Sequence, residues 1–176
     1  MRGGPRRGMP GGMVSDPLPV YRVRAATAAD AAVVAHHRVA MFRDMGVLGA
    51  ADGAALEVAS RLYLARALAD GEYRGWLVEA DGVGVAGGGL VLRLLLPRPG
   101  YLDGGTEAYV LNVYTEPAHR RRGLARRLMD AILVWCDAEE VSRVSLHASD
   151  EGRALYAALG FAATNEMRRD SAPNAA

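Results

Sequence analysis

Lysine is missing from this chain, and all 21 of its basic residues are arginine. A lysine Schiff base and a lysine general base are therefore excluded from whatever chemistry it performs. Cysteine is almost missing as well. Cys136 stands alone, so neither an internal disulfide nor a multi-cysteine metal site can form, which fits a reducing, cytoplasmic setting. Nor is there an excess of charge of either sign: 21 basic residues face 20 acidic ones, leaving a formal charge of +1. Such a chain has no global field to draw in nucleic acid or anionic lipid, and any anion site on it must be local. No unbroken apolar run nears membrane-spanning length, because the longest are interrupted by Arg93 or diluted with glycine. The stretch from Met1 to Pro19 is rich in Gly, Pro and Arg and lacks the apolar centre of a signal peptide. It reads as a disordered tail over residues 1–18, with Met9 and Met13 as alternative starts.

What is present suffices for one domain. A length of 176 residues with 51% hydrophobic composition can fill a single core, expected over residues 19–169 and followed by a flexible tail, 170–176. Val20 to Arg24 alternates like a short strand, and Thr27 followed by Asp30 marks a helix start. Val34, Met41 and Met45 share one face of that helix, with Arg38 and Asp44 left to solvent, until Gly46 stops it. A second helix opens after Asp52 with Leu56, Ala59, Tyr63 and Ala67 as its apolar stripe. Trp76 to Val78 and Val83 to Leu96 flank Asp81-Gly82, a hairpin signal. Pro97 to Gly105 is a loop, and Ala108 to Thr115 returns as a strand. Leu124, Leu128, Ile132 and Trp135 then line one side of a long helix. Val144 to Leu146 is a strand, Glu151 to Leu159 a short helix closed by Gly160, and Phe161 to Met167 a last strand. No internal repeat is visible. The order is strand, two helices, three strands, helix, strand, helix, strand: a mixed α/β domain, with only some strands joined by helical crossovers.

The segment from Val113 to Ala125 carries the most information. It places a strand directly before a turn and a helix, and the first turn of a helix has unpaired N–H groups and a partial positive charge suited to a pyrophosphate. Gly123 and Ala125 are small enough to let phosphates reach the main chain, and Arg120, Arg121 and Arg122 can add charge-assisted bonds. A nucleic-acid role for these arginines is disfavoured by the near-zero charge and the lack of interleaved aromatics. Cys136, beside Trp135 on the apolar helix face, reads as a buried inert thiol. Gly82, Gly84, Gly87, Gly88 and Gly89 lie between strands with no helix after them, so they form no dinucleotide fingerprint; they suggest hairpin flexibility or close approach to a substrate.

In this context Arg120, Gly123 and Ala125 match Arg/Gln-x-x-Gly-x-Gly/Ala, and the chain resembles the GNAT superfamily of acetyl-CoA-dependent N-acetyltransferases over roughly Val20 to Met167. A second match lies further on. Leu155, Tyr156, Gly160 and Phe161 fit the family's closing motif, Asn-x-x-Ala-x-x-Leu-Tyr-x-x-x-Gly-Phe, with Ser149 at the Asn position and Gly152 at the Ala position. Two correctly ordered matches are more specific than either alone. The resemblance implies a splayed sheet with helices on both faces, ending in a strand hairpin of which the second strand is short or missing here.

It also implies that the backbone of Arg120 to Ala125, Leu124 included, holds the pyrophosphate. Val113, Tyr114 and Thr115 would face the pantetheine arm, and Ser149 joins this cofactor-binding set. The co-substrate would be acetyl-CoA, with no metal. Tyr156 would protonate or stabilise the departing thiolate. The position at which relatives often carry a basic carboxylate falls on Tyr109, and Glu107, two residues earlier on the same strand face, is the candidate base. Glu116 reads as solvated, and His119 and His147 as possible proton relays. Met41, Phe42, Asp44, Met45 and Tyr101 are expected near a small-molecule or peptide amine acceptor. The competing reading is a non-catalytic acyl-CoA sensor or partner-binding module of the same fold. An open sheet edge would suit a homodimer.

Overall fold

The structure is a computed structural model that describes residues 19–49 and 51–169; the expectations for the two tails fall outside them. Apolar alternation produces β1 (Tyr21–Ala25), β2 (Arg74–Ala80), β3 (Val83–Leu95), β4 (Gly105–Thr115) and the short β5 (Arg143–Leu146). The helices are α1 (Ala31–Asp44), α2 (Gly53–Ala69), α3 (Leu124–Ala138) and α4 (Arg153–Ala158). The strands form one sheet in sequence order. All neighbours are antiparallel except β4 and β5, which are parallel, as the α3 crossover between them requires. The β2–β3 hairpin turns at Asp81 (φ 51) and Gly82 (φ 81), the left-handed pair that a tight two-residue turn needs.

Alternation divides the core in two. Trp76, Val78, Ala80, Val85, Leu90, Ala108 and Val110 pack under α3 against Leu124, Leu128, Met129 and Ile132. Leu77 and Tyr73 face the other way, onto Ala31, Val34 and Ala35 of α1 and Leu64 and Ala67 of α2. The glycines of β3 make this sandwich close. A Cβ on Gly84 would lie 2.9 Å from Val33, one on Gly87 2.9 Å from His37, and one on Gly88 2.9 Å from Leu128. At these three positions the glycines serve close packing. They let helix side chains sit directly on the strand.

Three expectations need correction. The buried side of α2 is Gly53, Ser60, Leu64 and Ala67, whereas Ala59 is exposed and Tyr63 is 53% exposed. An alanine-rich helix that is apolar nearly all round gives its period no face to select, and packing against α1 decides it. On α1, Met45 is 52% exposed, while His37 and Val39 are buried. Finally, Phe161 to Met167 is not a strand. After Gly160 the described chain runs irregularly and mostly exposed to Arg169, so β5 is paired only with β4 among the described residues.

Candidate active site

The site is built where β4 breaks its own pattern. Before the break, Ala108 and Val110 face α3 and Leu111 faces the α1–α2 core. Asn112 then takes φ 60, and the register against β3 slips between Gly87 and Gly89. Asn112 therefore faces the same side as Leu111, and its Nδ2 points at the buried Tyr73 hydroxyl at 3.5 Å. This is a β-bulge, with two residues opposite one. Beyond it the sides are exchanged: Val113 joins the α3 core, and the Tyr114 ring lies 5.5 Å from that of His37. Asn suits the position because it tolerates the left-handed region better than a bulky or branched residue.

On its other side β4 loses its partner. Pairing with β5 runs from Glu107 opposite Arg143 to Val110 opposite Leu146 and goes no further, while β4 continues to Thr115. The two strands diverge there, leaving a gap edged by the main chain of Leu111 to Thr115. A single-turn helix, Pro117–His119, then leads into the arginine run. Arg121 has φ 61 and Gly123 φ 73, and α3 begins at Leu124. No acceptor among the described residues meets the N–H groups of Arg121, Arg122, Gly123, Leu124 or Ala125. Left-handed residues within such a run curl consecutive N–H groups into a concave nest, and the α3 dipole adds positive potential. The corner is thus concave, electropositive and lined by main-chain donors.

The three arginine side chains differ. Arg120 donates from Nε to the Thr115 carbonyl at 2.9 Å and pairs with Asp44 at the end of α1. It braces the strand end to α1, with its pKa raised chiefly by the Asp44 bond. Arg121 and Arg122 are exposed.

The model of the Acetyltransferase (GNAT) family matches residues 41–161. The chain belongs to the GNAT acetyltransferase family. A GCN5-related N-acetyltransferase from Ralstonia eutropha JMP134 is 34% identical, with a TM-score of 0.78 over 86% of this chain and 99% of that one. A predicted acetyltransferase from Clostridium acetobutylicum, solved with acetyl-CoA, shares the fold at 23% identity and TM-score 0.76, over 86% of this chain and 96% of its own. The ribosomal-protein-alanine N-acetyltransferase of Brucella melitensis biovar Abortus 2308 does so at 19% and 0.58, over 87% and 99%. No curated protein matches the chain.

In this GNAT domain the expected cofactor-binding residues fall in two places. Val113, Tyr114 and Thr115 line the divergent part of β4, and Arg120 to Ala125 form the nest that follows. Ser149 lies apart, at the start of α4, where its carbonyl and Oγ accept the Gly152 N–H at 3.0 and 3.3 Å. Its hydroxyl thus accepts a bond within the turn that precedes α4. Tyr156 packs onto the α3-side core, which it shares with Leu146 of β5, and its ring stands edge-on to Phe161 at 6.0 Å. Gly152 makes room for it, since a Cβ there would come 2.8 Å from the Tyr156 ring. Burial raises the phenol pKa, and its hydroxyl has no hydrogen-bond partner among the described residues.

Glu107 occupies the β4–β5 rung furthest from the divergence. Its carboxylate is largely covered and lies 3.8 Å from Arg93. Nearer the opening, the Tyr109 hydroxyl and His147 Nδ1 are 3.2 Å apart, and the Arg93 guanidinium stacks on the Tyr109 ring at 4.0 Å. Glu116 is not freely solvated: it turns toward α1, 3.2 Å from His36 and 3.7 Å from His37. His119 is occupied with the Tyr21 hydroxyl at 3.0 Å. Of the expected acceptor-side residues, Asp44 is taken by Arg120, and Tyr101 lies beneath Arg98 at 3.8 Å. Cys136 is buried, with its thiol pKa pushed up to about 11 by desolvation and then by Asp137, so it stays protonated and unreactive. Sequence reasoning missed Arg38, placed in solvent by helical period but turned inward onto Asn112. A bulge formed against a strand distant in sequence leaves no local signal of that turn.

Proposed function

We propose that this protein moves an acetyl group from acetyl-CoA to a primary amine by direct attack within a ternary complex, in the cytoplasm. The observation that carries the reading is the run of unpartnered N–H groups from Arg121 to Ala125 beside a strand pair that opens after Val110 and Leu146. Donors aimed at one point cost free energy unless something accepts them, and a diphosphate at a helix start does so. Acetyl-CoA supplies the activated thioester. The free edge of Leu111 to Thr115 bonds the amides of its pantetheine arm as an added strand would.

The amine approaches from the α1–α2 face, where Tyr109, His147 and Glu107 lie. His147 is the titratable group nearer the opening and takes the amine proton. Glu107 lies three residues, about 10 Å, behind the last paired rung, so it takes part through water. Tyr156 enters from the α3 face with a phenol kept protonated by burial and gives its proton to the leaving thiolate. The open β5 edge supports a homodimer.

Calorimetry with acetyl-CoA, followed by a thiol-release scan over amino acids, polyamines, aminoglycosides and peptide N-termini, tests the reading. Saturable binding and turnover on one class of amine are expected. Binding without turnover on any amine would favour the acyl-CoA sensor, and no binding would remove both.

A further inference from the structure

Arg38 is half-buried between α1, α2 and the bulge of β4. Its Nη1 donates to Asn112 Oδ1 at 2.5 Å, and the guanidinium stands 4.7 Å from the centre of the Phe42 ring. No carboxylate lies within salt-bridge distance of it among the described residues. Arg24, Arg66, Arg93, Arg120, Arg126 and Arg153 all have one. Desolvation is the largest influence on Arg38, and the other groups acting on its charge are the phenols of Tyr73 and Tyr63 rather than a carboxylate.

A buried cation is normally answered by an anion, because a neutral amide returns only part of the hydration given up. Arg38 has been drawn out of water toward a neutral amide. One of its five N–H donors is used in that bond, and a planar fork with donors to spare matches a carboxylate edge to edge. Its location is specific too. Asn112 is the bulge residue on the diverging part of β4, and its side chain projects to the face from which an acceptor approaches.

Resting on the acetyl-transfer reading above, we infer that Arg38 anchors an anionic group of the acceptor, so that the amine acetylated carries a carboxylate or similar oxyanion a few bonds from its nitrogen, as an amino acid does. Polyamines and aminoglycosides, which would set cation against cation, are then poor acceptors.

The test uses the full chain with acetyl-CoA and paired acceptors: methionine and phenylalanine, each against its α-amide, and phosphoethanolamine against ethanolamine. Thiol release gives kcat/KM, and equilibrium dialysis of each labelled amine against CoA-saturated protein gives affinity without turnover. The expected result is a preference of about tenfold or more for the anionic member of a pair. Arg38→Gln should reduce that ratio to near one, mainly through KM, with Arg38→Lys partly restoring it and acetyl-CoA affinity unchanged. The amino-acid and phosphate pairs separate the two oxyanions. An equal loss for both members of a pair in Arg38→Gln would mark a purely structural hold on Asn112 and overturn the inference, as would preference for the members that lack the oxyanion. So would failure of every anionic amine to bind in dialysis. Loss of the acetyl-transfer reading looks different: retention of an anionic amine in dialysis, sensitive to Arg38, without thiol release.

Discussion

Tyr156 illustrates how a side chain acquires a role from its surroundings. Packed beside Phe161 over a glycine that leaves it room, the phenol is raised in pKa by burial and keeps its proton, which on the proposed reading it offers to the departing thiolate. Tyr156→Phe keeps the ring and removes the proton. Turnover should fall by roughly tenfold to a hundredfold with acetyl-CoA affinity preserved, measured by steady-state rates beside calorimetry; an unchanged kcat would take Tyr156 out of the chemistry. His37 makes a second, thermodynamic prediction. It is 2% exposed, and burial lowers its pKa from 6.5, opposed by Glu116 and a backbone contact with Gly84 and assisted by His36. The unfolded chain therefore takes up a proton near pH 6.5 that the folded chain refuses. Its contribution to stability is complete above that pH and is lost as pH falls below it. Urea unfolding at pH 7.5 and 5.5 should show the decline, and His37→Gln should flatten it by at most about 1.4 kcal/mol per pH unit. An identical slope in the variant would assign the decline to other groups. The motif residues were legible in the sequence because each acts within one turn of chain. Arg38 was not, because its inward turn depends on a bulge made by a different element.

At the level of elements, the corner proposed to hold the diphosphate is a property of backbone. Gly123 sits at φ 73, and nothing lies within 4 Å of a Cβ built there. Gly123→Ala thus meets no steric conflict inside the protein, and its left-handed backbone costs about 1–2 kcal/mol. A methyl projecting at the nest should nevertheless weaken acetyl-CoA binding by about tenfold or more, the worth of one hydrogen bond to a charged group. Calorimetry beside thermal melts separates the two effects. Undiminished affinity with a lowered melting temperature would mean that the diphosphate does not use this corner. The strand, turn and helix here could be read in advance since the order strand, Arg-x-x-Gly-x-Ala, apolar stripe is local. The buried face of α2 could not, because its sides are nearly equally apolar and only contact with α1 separates Ser60 and Leu64 from Ala59 and Tyr63. The expected strand from Phe161 failed for a related reason. Beyond Phe161 it offers alanines and polar residues with no apolar alternation, and a strand without a neighbour has nothing to hold it in place.

The whole molecule inherits the consequence, because α/β class and element order followed from periodicity while the closure of the sheet did not. Among the described residues β5 is paired on one side only, and the long β3–β4 hairpin beside it carries Leu94, Leu96 and Leu102 at 93, 86 and 80% exposure. Arg98 of that hairpin donates to the Ser142 carbonyl at 3.4 Å, one residue before β5, so the apolar tip lies near the start of the edge strand. Free edges invite pairing, and apolar clusters rimmed by polar residues mark contact surfaces. A two-fold pairing of this chain through that region would cover both at once, since an isologous contact applies the same patch twice. Sedimentation velocity across a hundredfold range of concentration should therefore show a monomer–dimer equilibrium. Leu94→Glu with Leu96→Glu should shift it to monomer while leaving the melting temperature of the monomer nearly unchanged, because both side chains are already in water. A monomeric mass at every concentration would reject the dimer and leave the edge protected only by the shortness of β5. A dimer indifferent to both glutamates would place the interface elsewhere.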